Sequence, residues 1–468
     1  MLEEKLTSPT HSEYISSTST STRSKYASRD FSGSVFIISS DGCMLKLPIP
    51  TSSSRDPLNW SKMKRARALF AIFFFSITGL VVVQGPGLMF APLLEEFSDE
   101  GLLMAIDLTF IHQRPQIIAM LWCLIGFVGG CIYSLVPQIT NTSTSWRSFY
   151  LLWIFPSAIS VTLAFFLFPE TYFIRPAVAF DGRILAQSAT EKVQIYQDWE
   201  EVPGGKSLPD IPYSSPWVRD LQFWGTTRGG WKAMWACYPQ ILGCFVNPLI
   251  FWVALLNAIV FGSMLSIGET YNFALTGPPY FLDIRYTALV NAAGAIGSLI
   301  AWPVSGKMIA WVSRRLAMSN AGVRDAEHYL PAFILPIIAG TTSVIIYGLA
   351  VQHKWHFMFI YVSYGLNTFT FSSLATANTL WVTEAFPRWA APALVVLSGV
   401  SYMASFGISF SIQPWVASQG IANTNIEIGS MIAVVGLVLI PIAFWGKKLR
   451  QHIHERWGTS EMGALRPQ

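Results

Sequence analysis

Nine stretches of this chain run for 19 residues or more without an Asp, Glu, Lys or Arg: 68–94, 115–146, 148–169, 233–268, 286–306, 329–352, 355–383, 389–426 and 428–446. A helix needs about 20 mostly apolar residues to cross the hydrocarbon core of a bilayer, and a charge at its centre costs about 2.5–3.5 kcal/mol. One such run fits a buried helix of a soluble protein; nine in series, covering most of the chain after residue 67, do not. The composition agrees, with 52% hydrophobic and 12% charged residues, where a soluble domain carries about a quarter charged. Gly79, Pro156, Pro303 and Gly407 fall inside the runs, as membrane helices tolerate. The fold class is therefore all-α and polytopic, with one spanning segment per run. The long run 389–426 is expected to leave the membrane near Gln413-Pro414.

The polar intervals organise the rest. Residues 1–55 form a Ser/Thr-rich tail, read as disordered and cytoplasmic because it lacks the apolar surface to fold. Residues 56–173 hold three spans, 174–232 a basic cytoplasmic linker, 233–449 a bundle of six spans and 450–468 a polar tail. Cytoplasmic loops carry the excess of Lys and Arg. The linker (Arg175, Arg183, Lys192, Lys206, Arg219, Arg228, Lys232), the loop 307–328 and the tail from Lys447 are basic, whereas 269–284 and 414–427 contain neither Lys nor Arg. Six crossings place linker and C-terminal tail on one side. Three crossings place the linker opposite the basic segment Arg55–Arg67, which conflicts with the same rule. Residues 95–114 carry Glu95, Glu96, Asp99, Glu100 and Asp107, too many charges for a fourth span. The run 68–94 is too short for two spans of about 20 residues each. An odd number of helices is missing from the first half.

Four motifs carry a resemblance. Asp56-Pro57-Leu58-Asn59-Trp60 precedes the first run, and His112-Gln113-Arg114 precedes the second. Pro169-Glu170-Thr171-Tyr172 closes the third, and the segment Asn320–His328 with Gly322-Val323-Arg324 precedes the run at 329. In this order the chain resembles the fungal drug:proton antiporter branch of the major facilitator superfamily (MFS), a family of twelve helices in two sixes. The resemblance covers nearly everything from residue 56 and implies that 68–94 is the first helix and 115–146 contains the fifth. Helices two to four then have no counterpart, which matches the odd deficit. The basic loop after helix two and the buried arginine of helix four are lost with them. The antiporter motif of helix five reads Gly126-Phe127-Val128-Gly129-Gly130 here, without its proline, so proton coupling is not carried over intact.

The resemblance implies a secondary transporter exporting drugs, secondary metabolites or organic cations such as polyamines from the plasma membrane. The alternative is a shortened, non-transporting relative, inert or binding a partner. Transporter sites lie near the bilayer midplane between the halves. Among polar residues within the runs, Asn257, Asn291, Tyr364 and Asn367 lie away from span ends and are the candidate substrate-binding residues; Asn247 and Asn378 are weaker ones. The competing reading of each is a hydrogen bond between helices. Glu269 and Glu384 stand at run boundaries and read as solvated helix ends rather than proton sites. The expected partners are a small molecule, with or without a coupled proton, and the lipid bilayer. A net charge of +4 gives no reason for nucleic acid. No nucleotide, metal or nucleophile motif is present, so no enzyme activity, metal or cofactor is expected. The five cysteines lack paired spacing and read as small hydrophobes.

Overall fold

The computed structural model describes residues 34–36, 57–84, 109, 113–139, 146–167, 178–180, 183–187, 193–196, 230–320, 323–386 and 389–457. The motif Pro169–Tyr172, most of the tail and linker, nearly all of the acidic interval 95–114, and residues 458–468 lie outside them.

Every charge-free run carries a helix. In the first half these are α1 (Lys62–Gln84), α2 (Arg114–Ile139) and α3 (Trp146–Leu167). The second half holds α4 (Gly230–Val246), α5 (Pro248–Thr276), α6 (Val290–Pro303), α7 (Ile309–Ser319), α8 (Ile334–Gln352), α9 (Met358–Ala385), α10 (Ala390–Gln419), α11 (Ile421–Leu437) and α12 (Leu439–Trp457). Among the described residues, six helical segments are long and apolar enough to cross a membrane: Arg114–Leu135, Pro248–Thr276, Arg285–Ser319, Ala326–Gln352, Ala390–Ile408 and Ile421–Ile453. Large apolar side chains such as Phe155, Phe273, Met403 and Phe444 stand exposed on their outer faces. Water would penalise such a surface and lipid does not. The chain is an all-α, multi-pass membrane protein.

Three boundaries differ from the charge pattern. The run 233–268 is two helices, because Asn247 caps α5: its side-chain oxygen accepts the Leu249 N–H at 3.0 Å and Pro248 occupies the first helical position. The stretch 307–328 is not a loop throughout. After Pro303 a single π turn, Val304–Met308, passes the helix into α7, which carries Arg314 and Arg315 to Ser319. In the run 389–426, helix α10 passes through Pro414 to Gln419 and ends at Gly420, whose φ of 83° suits a residue without Cβ.

Helix α9 lies at the centre of the second half and packs on α6, α8 and α5, while α10 packs on α5 and α11 on α8. From the first half, α2 lies against α6 and α9, and α1 lies against α3 and α2. Because α9 meets protein on most sides, it can carry polar groups that lipid would exclude: Ser363, Asn367, Thr370, Ser372, Ser373, Thr376, Asn378 and Thr379 are all buried. Two small sheets complete the described structure: β1 (Ser34–Phe36) with β5 (Val323–Asp325), and the antiparallel set β2 (Val178–Phe180), β3 (Arg183–Gln187) and β4 (Val193–Tyr196).

Candidate functional site

Tyr364, Phe371 and Asn378 recur at seven-residue spacing and so share one stripe of α9. The Asn378 amide donates to Asn257 Oδ1 on α5 at 2.9 Å, and Asn257 donates to Ser401 Oγ on α10 at 2.7 Å. Asn378 is fully buried, and its own Oδ1 has no hydrogen bond among the described residues. Two helical turns away, Phe371 meets Trp122 of α2 edge-on at 6.3 Å between ring centroids, and Phe261 of α5 at 5.7 Å. Phe261 in turn meets Tyr402 of α10 at 5.8 Å, edge to face. Trp122 Nε1 also donates to Thr379 Oγ1 at 3.4 Å. Four rings from four helices, one of them from the first half, thus adjoin a chain of three polar side chains.

The four candidate residues fall into three groups. Asn257 belongs to the polar chain just described. Asn291 and Tyr364 come together, with the Tyr364 hydroxyl donating to Asn291 Oδ1 at 3.3 Å and the Asn291 amide donating to Tyr271 at 3.3 Å. Asn367 is fully buried on another side of α9, and its amide donates to Ser263 and Ser343 at 3.0 and 3.2 Å. Every one of them bonds a neighbouring helix or its own turn. The serines and aromatic rings that complete the groups carried no signal in the sequence, because such residues are ordinary in any membrane helix.

The two glutamates depart from their reading as solvated helix ends. Glu384, at the end of α9, is only 8% exposed, and its Oε1 lies 2.8 Å from Arg324 Nη2 and 3.7 Å from Arg114 Nη1. Its position opposes the helix dipole; two guanidinium groups compensate. Tyr329 covers Arg324, with its ring 5.2 Å from the guanidinium carbon. Beside this cluster Asp325 takes Lys447 at 2.9 Å, and Glu327 takes the buried Arg450 at 3.0 Å. Arg114 begins α2, so the cluster ties the first half to the second. Glu269 lies inside α5, which continues to Thr276, and is half-buried with no hydrogen bond among the described residues.

The described residues thus form a helical, multi-pass membrane bundle with polar and aromatic groups where α2 packs on α9. The chain is similar to an uncharacterised MFS-type transporter of Schizosaccharomyces pombe, 25% identical over 181 residues, covering 39% of this chain and 31% of that protein. It is similar to Protein HOL1 of Saccharomyces cerevisiae, 23% identical over 185 residues, 39% of this chain and 31% of that one. It also resembles Dityrosine transporter 1 of the same yeast, 23% identical over 242 residues, 50% and 41% of the two chains. The matched stretch thus spans about a third of the first two relatives' length. No family model matches the chain.

Proposed function

We propose that the chain is a secondary transporter of the major facilitator type that binds a small organic molecule where α2 meets α9, beside α5 and α10. The observation that carries this reading is the ring group Trp122, Phe261, Phe371 and Tyr402 beside Asn257, Asn378 and Ser401. Aromatic faces attract cations by about 0.5–2 kcal/mol each, and the amides orient polar groups. An organic cation such as a polyamine or a cationic drug fits this chemistry, and export across the plasma membrane fits the family resembled. Asn291 and Tyr364 form the wall one level along α9, and Asn367 holds that helix to α5 and α8. Binding of labelled tetraphenylphosphonium and spermidine to the purified chain tests the site. Phe371→Ala and Asn378→Leu are each expected to weaken saturable binding about tenfold, equivalent to about 1.4 kcal/mol. Equal binding by both variants and the parent would place the site elsewhere.

The same fold supports the loss of helices two to four. The carbonyl of Thr78, late in α1, accepts a hydrogen bond from Trp153, early in α3, a contact that suits an antiparallel pair. Only residues 140–145 join α2 to α3; the chain from Ile139 to Trp146 reaches at most about 25 Å, short of the core's ~30 Å. Helices α2 and α3 are therefore antiparallel too, and α1 and α2 point the same way. Two parallel helices consecutive in the chain require a return crossing between them. Residues 85–113 carry five carboxylates, which count against a crossing within them. An odd number of further helices removes the conflict. Sequencing of mature transcripts is expected to reveal a form encoding three more apolar segments between residues 94 and 112. A single transcript matching this chain, with brisk transport by its product, would contradict the loss.

A further inference from the structure

We infer that Gly268 of α5 marks a second pocket, two helical turns beyond the ring group, that takes the far, acceptor-bearing end of an elongated organic cation. Gly268 lies seven residues past Phe261 and eleven past Asn257, spacings that keep all three on one face of α5. Asn257 and Phe261 turn that face toward α9 and α10, where Asn378, Phe371, Ser401 and Tyr402 meet them. At Gly268 the same face is open: an added Cβ would have no atom of the described residues within 4 Å. Neighbouring glycines behave otherwise. A Cβ at Gly262 would run into Ile408 of α10, and one at Gly294 of α6 would lie 2.8 Å from the Tyr364 ring. Those glycines let helices close up, whereas no helix closes on Gly268. Glycine inside a helix is destabilising against alanine, and here no packed neighbour offsets the loss. Room for a ligand does.

The wall of this opening follows from the helix register. Asn257 meets Asn378, Ser263 meets Asn367 and Tyr271 meets Tyr364, so α5 and α9 run antiparallel. Phe261 meets Phe371, and seven residues further along each helix Gly268 comes level with Tyr364, on the side away from Glu384. Tyr271, three residues past Gly268, is its neighbour on the helix surface, with its ring 5.7 Å from that of Tyr364. The Tyr271 hydroxyl accepts the Asn291 amide at 3.3 Å, and among the described residues no acceptor takes its own proton. That proton is available to a carbonyl oxygen of a ligand. The ring group and the opening lie about 10 Å apart along the helix. A compact cation fills the first alone, and a longer one reaches both. The choice of ligand rests on reading the ring group as a binding site; the pocket rests on the geometry alone.

Two experiments on the full chain in liposomes test it. The first compares binding of tetraphenylphosphonium, compact and without an acceptor, with rhodamine 6G, an elongated cation bearing an ester carbonyl. Gly268→Trp is expected to lose saturable rhodamine 6G binding and keep that of tetraphenylphosphonium. Tyr271→Phe is expected to weaken rhodamine 6G alone, by about fivefold. Undiminished rhodamine 6G binding in both variants, or equal loss of both probes in Tyr271→Phe, would overturn the inference. The second needs no binding by either probe. A trimethylammonium methanethiosulfonate, which modifies thiols where water reaches, is expected to label Gly268→Cys, read by the mass of its peptide. Gly407→Cys is the control, equally open but on the outer face of α10 between the exposed Phe406 and Phe410. Labelling of Gly268→Cys no faster than the control would overturn the pocket. Failure of the parent to bind either probe, with Gly268→Cys labelled, would overturn the ring-group reading and leave the pocket standing.

Discussion

Glu384 shows what a single residue's surroundings decide. At the edge of a charge-free run it reads as a solvated helix end. In the fold it accepts Arg324 and faces Arg114, all three nearly excluded from solvent. Removing one member of a buried pair costs about 3–5 kcal/mol, while replacing both with apolar groups costs far less. Glu384→Ala should therefore lower the aggregation temperature in detergent sharply. Combining it with Arg324→Leu should restore part of the loss, although Arg114 remains. A double variant no better than the sum of the singles would mean that the pair is not coupled. The candidate amides were legible for a related reason: Asn257, Asn291 and Asn367 interrupt apolar runs where a polar group must have a partner. Their partners, Ser401, Tyr271, Ser263 and Ser343, were not legible, because only tertiary packing selects them from many equivalent serines and tyrosines.

At the scale of helices, the charge pattern located each element and misplaced several ends. Charges mark where a segment can leave the hydrocarbon, not where hydrogen bonding stops. Helix α7 carries Arg314 and Arg315 onward, and a capping Asn247 divides a run that contains no charge at all. Packing between helices depends on features subtler still. Gly130 lets α2 approach α6 so closely that an added Cβ would lie 2.8 Å from the Asn291 carbonyl oxygen, a backbone atom that cannot turn aside. Gly130→Val should destabilise this contact by about 1–3 kcal/mol, read as a lower melting temperature and a shift to aggregate in detergent chromatography. Gly79→Val is the matched control, since nothing lies within 4 Å of a Cβ there. Equal behaviour of the two variants would refute the α2–α6 contact.

For the whole molecule, the apolar runs were enough to indicate an all-α, multi-pass membrane protein. The account joins the second half to an α2 that supplies Trp122 and Arg114, and proposes that the junction binds a small organic molecule. Under the proposed loss of helices two to four, polar faces lose partners at about 0.6–2 kcal/mol per bond, so transport should be slow. The most direct measurement is flux of labelled spermidine and tetraphenylphosphonium into liposomes containing the full chain, beside Phe371→Ala and protein-free liposomes. The account predicts slow, saturable uptake of at least one probe that Phe371→Ala abolishes. Uptake of both probes at the protein-free rate, from liposomes shown to hold folded protein, would contradict it.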